Sequence, residues 1–189
     1  MTFEKTALND CFLIKPNIIK DERGYFLESF HQEKFNKATG QSVNFLQDNQ
    51  SSSTKGVLRG LHYQTGKHAQ AKLVCVVVGQ VLDVAVDIRP HSPTFGKHEV
   101  FLLTEENQHQ VFIPRGFAHG FLVLSETAIF SYKCDNFYNK ESEGGIIYND
   151  PKLNIDWGNH DFSFIISEKD QRLPFFENAK KYDCFNYRR

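Results

Sequence analysis

The chain has 189 residues, 40% hydrophobic and 24% charged, a size and balance that suit one globular domain with a substantial core. A formal net charge of −1 excludes a global field that would recruit nucleic acid or an acidic membrane, although local basic residues can still hold a small anion. Met1 to Asp10 lacks a basic stretch followed by an apolar run, and the longest apolar run, Leu73 to Gly79, is too short to span a bilayer, so the expected location is cytoplasmic.

Phenylalanine is abundant, at 18 residues beside many Val and Ile, and that composition favours strands. In chain order, Phe12 to Pro16 and Gly24 to Phe30 read as extended segments. Gln32 to Thr39 reads as a short helix that stops near Gly40. Val43 to Gln47 reads as a strand leading into a polar run, Asp48 to Lys55. Further strands are predicted at Val57 to Gln64, Ala71 to Val78, Val81 to Ile88, Glu99 to Thr104, Gln110 to Ile113, Gly120 to Leu124 and Ala128 to Cys134. Gly79-Gln80, between two apolar runs, predicts a tight hairpin. Within Val81 to Ile88, Asp83, Ala85 and Asp87 share one face and Val84, Val86 and Ile88 the other. A second helix is expected at Ser167 to Gln171, with Ser167 as N-cap and Asp170 three residues on. The aromatic and basic tail after Leu173, ending Tyr187-Arg188-Arg189, is expected to pack as a C-terminal arm, on this chain or on a partner subunit.

Many short strands with little helix predict an all-β antiparallel sandwich or barrel. No Gly/Ser/Pro linker or internal repeat divides the chain, so residues 1–189 are expected to form a single domain. Cys11, Cys75, Cys134 and Cys184 are far apart and show no C-x-x-C spacing; four free thiols are expected, with Cys75 and Cys134 as small core residues. His31, His68, His91, His98, His109 and His160 are expected at the surface.

Two segments carry the chemistry. One runs from Gly56-Val57-Leu58-Arg59-Gly60-Leu61-His62-Tyr63-Gln64 on to Lys72 and Gly79; the other is Ile113-Pro114-Arg115-Gly116-Phe117-Ala118-His119-Gly120-Phe121. The second fits P-x-G-x-x-H and resembles the second motif of the cupin jelly-roll superfamily; the first resembles its first motif with the ligands changed. Metal-binding cupins converge three His and one Glu on an ion. Here the second His position is Gln64 and the Glu position is Lys72, whose ammonium has no lone pair and repels a cation. His62 and His119 alone are too few for a tight site, so a metal-free barrel mouth holding a base and a cation is expected. That pairing serves proton abstraction beside a ketone, which needs a base and a group to stabilise the enolate oxygen. Epimerisation also needs a proton from the opposite face, and Tyr132 is a plausible donor. Asp83 is a candidate to support the catalytic His or Lys by a hydrogen bond, alongside a purely structural reading.

From about Asp21 to Asp170 the sequence resembles the dTDP-4-dehydrorhamnose 3,5-epimerase family. The matching stretches, in order, are Asp21 to Glu28, Gln47-Asp48-Asn49, Gly56 to His62, Asp83 to Arg89, Ser92-Pro93-Thr94-Phe95-Gly96, Ile113 to Phe121 and Tyr132-Lys133. The resemblance implies an all-β double-stranded β-helix, or jelly-roll, with few short helices and an N-terminal arm whose strands cross to the partner of a homodimer. It implies no cofactor and a dTDP-sugar substrate. It implies His62 as the abstracting base, Asp170 as the carboxylate that orients it, Tyr132 as the proton donor and Lys72 as the cation beside the C4 keto oxygen. It further implies substrate contacts from Arg23, Phe26, Glu28, Gln47, Asn49, Arg59, His119, Tyr138, Glu143 and Lys169, with Arg23 and Glu28 serving the neighbouring site. One departure is Phe137-Tyr138, where some members carry two tyrosines: stacking on thymine survives, a hydroxyl is lost. The expected reaction inverts C3 and C5 of dTDP-4-dehydro-6-deoxy-D-glucose. The alternatives are a C3-only or C5-only epimerase, a non-catalytic sugar-nucleotide-binding cupin and a metal-dependent cupin enzyme.

Overall fold

The computed structural model describes residues 1–182. Cys184 and the tail ending Tyr187-Arg188-Arg189 lie outside the described residues, and with them the end of the expected C-terminal arm. In chain order the strands are β1 (Thr2–Lys5), β2 (Phe12–Lys15), β3 (Ile18–Asp21), β4 (Gly24–Leu27), β5 (Gln47–Thr54), β6 (Val57–Gln64) and β7 (Lys72–Val78). They continue as β8 (Gln80–Asp87), β9 (His98–Thr104), β10 (Gln110–Ile113), β11 (Phe117–Val123), β12 (Thr127–Cys134), β13 (Glu143–Gly145) and β14 (Ile165–Ile166). The α-helices among the described residues are α1 (Gln32–Thr39) and α2 (Glu168–Gln171).

Two six-stranded sheets face each other. One runs β1-β2-β10-β7-β12-β5; the other runs β13-β6-β11-β8-β9, with β14 parallel to β6. From β5 to β8 successive strands alternate between the sheets, the winding of a jelly roll. Gly79-Gln80 is therefore a corner between sheets and not the hairpin its sequence suggests. Gly79 has φ +81°, and a methyl there would come 2.1 Å from the Thr127 carbonyl, so the crossing requires glycine.

The polar run after Val43 also differs from expectation. Residues 43–46 are irregular, and the strand is the polar stretch itself, β5, paired along its whole length with β12. Its alternation is polar on both faces: Gln47, Asn49, Ser51 and Ser53 are the more buried set and point between the sheets. Tertiary pairing overrides weak strand propensity here.

The alternation of β8 places Val84, Val86 and Ile88 on the outer face of the second sheet, buried with Leu58, Leu61, Trp157 and Tyr182 under the C-terminal segment. Ala85 packs in the core between the sheets with Val74, Phe101, Phe121 and Phe130. Asp83 shares that inner face, fully buried. Asp87 anchors the next loop, accepting hydrogen bonds from Arg89 Nη2 (2.8 Å), Ser92 Oγ (2.5 Å) and Thr94 Oγ1 (2.6 Å). Helix α1 has the predicted bounds and ends at Gly40 with φ 69°. It packs the fully buried Phe35 on the outer face of the first sheet, edge-on to Phe112 with ring centroids 4.9 Å apart. Cys11, Cys75 and Cys134 are free thiols; burial pushes the Cys11 thiol up to about 12. Among the described residues no helix is long and apolar enough to cross a membrane.

Strands β3 and β4 pair only with each other, and Ile19, Tyr25 and Phe26 on this hairpin are 57%, 56% and 69% exposed. Among the described residues nothing covers these three large side chains.

Candidate active site

Arg59 and His62 are three residues apart, a separation that puts side chains on opposite faces of a regular strand. A bulge resolves this. Between β6 and β11, His62 pairs with His119 and Arg59 with Phe121, so the three steps from Arg59 to His62 lie opposite the two from Phe121 to His119. Both side chains consequently turn into the space between the sheets. The bulge depends on close backbone contact: a methyl on Gly60 would lie 2.6 Å from Gly120 Cα, and one on Gly120 2.7 Å from the Arg59 carbonyl.

The resulting cleft encloses about 550 Å³. Its walls bring together His62, Arg59, Lys72, His119, Tyr132, Lys169 and Asp170, the last 108 residues beyond His62 in sequence. Asp170 arrives on α2, capped by Ser167 as predicted: the Ser167 hydroxyl accepts from the Asp170 amide at 3.1 Å. The carboxylate is buried, 2.8 Å from His62 Nε2 through Oδ1, while Oδ2 accepts from the Gly60 amide at 3.1 Å. Burial pushes the Asp170 carboxyl up, but the hydrogen bond and charge of His62, the Gly60 amide and Ser167 together outweigh it and hold it below its ordinary value. An ionised Asp170 accepting from Nε2–H leaves the Nδ1 lone pair of His62 free to take a proton.

A second pair lies beside the first. His119 Nε2 is 2.7 Å from Asp83 Oδ2, with both residues buried. Burial pulls the His119 ring below its ordinary value against the opposing pull of Asp83, which keeps it neutral at neutral pH. Asp83 thus supports a histidine, but it is His119 rather than His62. Its Oδ1 is buried without a hydrogen-bond partner among the described residues.

The opposite wall comes from the first sheet. Register places Lys72 of β7 across from Cys134 and Tyr132 of β12 across from Val74, so Lys72 and Tyr132 share the inner face. The Lys72 ammonium sits 5.7 Å from the Tyr132 ring centroid and has no salt-bridge partner among the described residues. Burial lowers its affinity for the proton, partly offset by Cys134, Asp83 and Glu143. Burial raises the Tyr132 hydroxyl, with Cys134 adding to that and Arg59 opposing it, so the phenol keeps its proton. A base on one sheet therefore faces a cation and a phenol on the other.

The cleft mouth carries a polar chain. Gln47 Nε2 donates to Asn49 Oδ1 at 3.0 Å, and Gln47 Oε1 accepts from the Tyr138 amide at 3.1 Å. Tyr138 OH donates to Glu143 Oε2 at 3.2 Å, and Lys169 Nζ donates to Glu143 Oε1 at 2.6 Å. Arg23, Phe26 and Glu28 do not join the cleft. They lie on or just after the β3–β4 hairpin, where Arg23 pairs with Asp21 and Glu28 with Lys34. Sequence reasoning missed Ser51, Phe121 and Phe130 in the cleft lining; the two Phe rings stack at 4.2 Å and 14°. Strand alternation extended through β5, β11 and β12 is the signal that finds them.

A family model described as dTDP-4-dehydrorhamnose 3,5-epimerase matches residues 5–178. The chain is 55% identical over 157 residues to the dTDP-4-dehydrorhamnose 3,5-epimerase of Shigella flexneri, covering 83% of this chain and 87% of that one. It is similar to the crystal structure of the enzyme of that name from Elizabethkingia anophelis, with a TM-score of 0.90, 58% identity and coverage of 94% and 97%. It is also similar to a dTDP-6-deoxy-D-glucose-3,5-epimerase of Legionella pneumophila solved with dTDP-4-keto-L-rhamnose, with a TM-score of 0.91, 45% identity and coverage of 96% and 98%. By its jelly roll, its cleft and these similarities, the chain belongs to the dTDP-4-dehydrorhamnose 3,5-epimerase family.

Proposed function

We propose that the protein is a 3,5-epimerase that inverts C3 and C5 of dTDP-4-dehydro-6-deoxy-D-glucose, giving dTDP-4-dehydro-L-rhamnose. The observation that carries this reading is the placement of the His62–Asp170 pair on one sheet against Lys72 and Tyr132 on the other. The C4 ketone acidifies the protons on both neighbouring carbons. His62 takes one of them, and Asp170 stabilises the imidazolium that forms. The electron pair moves onto O4 as an enolate, and the Lys72 ammonium stabilises that oxygen. Tyr132 delivers a proton to the other face of the same carbon, which inverts it, and proton transfer with solvent resets the pair. A repeat at the second α-carbon completes the reaction, with no electrons gained or lost. Arg59 and Lys169 supply charge for the diphosphate, Tyr138 a face for thymine, and Gln47, Asn49, His119 and Glu143 polar contacts.

Wild-type enzyme turning over this keto sugar in D₂O is expected to place deuterium at both C3 and C5, read by NMR. Exchange at one carbon alone makes it a mono-epimerase, and tight binding without exchange removes the catalytic reading.

The protein acts in this proposal as a homodimer, in which the β3–β4 hairpin brings Arg23, Phe26 and Glu28 to the partner's cleft. The exposed apolar hairpin and its distance from its own cleft support that arrangement. Light scattering is expected to give the mass of two chains; the mass of one chain rejects it.

A further inference from the structure

We propose that the Ser51 hydroxyl positions the substrate by hydrogen-bonding a ring hydroxyl of the bound hexose, an inference that rests on the functional reading above. Ser51 lies on the inner face of β5 between Asn49 and Ser53, across from Phe130 of β12, and lines the cleft. Its neighbours on that face are satisfied within the protein. Gln47 donates to Asn49, Asn49 Nδ2 donates to Cys134 Sγ at 3.7 Å, and Ser53 Oγ accepts from Arg59 Nε at 3.2 Å. Ser51 Oγ is tucked against the strand and has no partner among the described residues, a state shared there only by Asp83 Oδ1, and a turn about Cα–Cβ brings it to the cleft that the residue lines.

A buried hydroxyl without a partner is costly, and folded proteins leave few of them. The strand's own ladder is engaged with β12, and the side chains across the cleft floor, Phe121 and Phe130, offer no acceptor. A ligand in the cleft can supply what the protein does not. The chemistry of Ser51 selects which part of the ligand that is. A neutral group that both donates and accepts matches a sugar hydroxyl, while Arg59 and Lys169 match the diphosphate and the Lys72 ammonium matches the keto oxygen. The position agrees: Asn49, one step along the same face at roughly 7 Å, pairs across the ladder with Tyr132. Ser51 is therefore level with the reacting sugar rather than with the Tyr138 end of the cleft.

The test compares Ser51→Ala with wild type by calorimetric binding of dTDP and of dTDP-glucose, turnover of the 4-keto sugar, and thermal unfolding. In wild type, dTDP-glucose is expected to bind more tightly than dTDP. In the variant that advantage is expected to shrink about five- to tenfold, the effect of one neutral hydrogen bond, with kcat/KM falling at least as far. Affinity for dTDP alone is expected to stay unchanged. The unfolding temperature is expected to hold or rise, because no bond of the free protein is lost. The proposal is overturned by an unchanged dTDP-glucose advantage, by equal losses for dTDP and dTDP-glucose, by a fall of several degrees in unfolding temperature, or by a wild type that binds both ligands equally. A wild type that binds the sugar nucleotide without exchanging deuterium refutes the epimerase reading instead, and the binding comparison still decides the role of Ser51.

Discussion

A His62→Ala variant is expected to bind the dTDP-linked keto sugar yet exchange deuterium at C3 and C5 about 10²- to 10⁴-fold more slowly, the range for loss of a positioned general base. His62 lines the cleft at the β6 bulge, and one ring nitrogen is committed to Asp170 at 2.8 Å. Asp170→Asn is expected to produce a loss of the same order by a different route. The amide keeps the shape but removes the charge that stabilises the imidazolium, and its NH₂ can donate to the imidazole and hold the wrong tautomer. The double variant is expected to be little worse than either single one, because the two side chains act as a unit. Exchange by His62→Ala at the wild-type rate sinks the assignment of the base.

Acid should disable the pair through the carboxylate. Asp170 is held below its ordinary value of 3.8, so its stabilising contribution is complete above that value and is lost as the pH falls through the lower folded value. Denaturant titrations of wild type and Asp170→Asn are expected to converge only below pH 3.8.

The elements most legible in the sequence are those whose signal is local. Helix α1 announces itself by its stop at Gly40, α2 by its Ser167 cap, and β10 by an apolar run with clear ends. What local signals omit is partnership. Gly79 reads as a turn, but nothing around it says that β7 and β8 belong to different sheets. The polar β5 carries no hydrophobic stripe, because its inner face is made of cleft-lining amides and hydroxyls; Ser51 was hidden for the same reason. The three-residue spacing of Arg59 and His62 argues against a shared face until the bulge is known, and the bulge is a property of β6 and β11 together. The meeting of Asp170 with His62 across 108 residues was legible only through resemblance to a family. Asp83 shows the limit from the other side. Its alternation correctly placed it inward, while its partner, His119, depended on the pairing of β8 with β11.

Lys72→Met is expected to trade activity for stability. The ammonium is buried in the cleft wall, 5.7 Å from the Tyr132 ring centroid, and no carboxylate among the described residues is bonded to it. Burial depresses its proton affinity below the ordinary 10.5, so the protonated form costs more in the folded state than in the unfolded chain. Between the folded value and 10.5 the unfolded state binds more protons than the folded one, so wild-type stability rises as pH climbs through that window. Methionine keeps the length and packs its thioether against the Tyr132 ring without any charge. The variant is expected to unfold at a higher temperature than wild type at pH 7 and to lose the rise in stability on the alkaline side. Its turnover should fall about 10²- to 10³-fold, the scale for removing one group that stabilises a developing oxyanion, while dTDP binds as before. The pH–rate profile supplies the separate readout: wild-type activity should decline as Lys72 loses its proton below 10.5, and the residual activity of Lys72→Met should lack that limb. A variant that is both less stable and fully active would mean the cation serves the fold and not the enolate. The metal-binding cupin motif places a carboxylate ligand at this position, and a lone ammonium there is costly to the fold, which is why its presence points to chemistry rather than to packing.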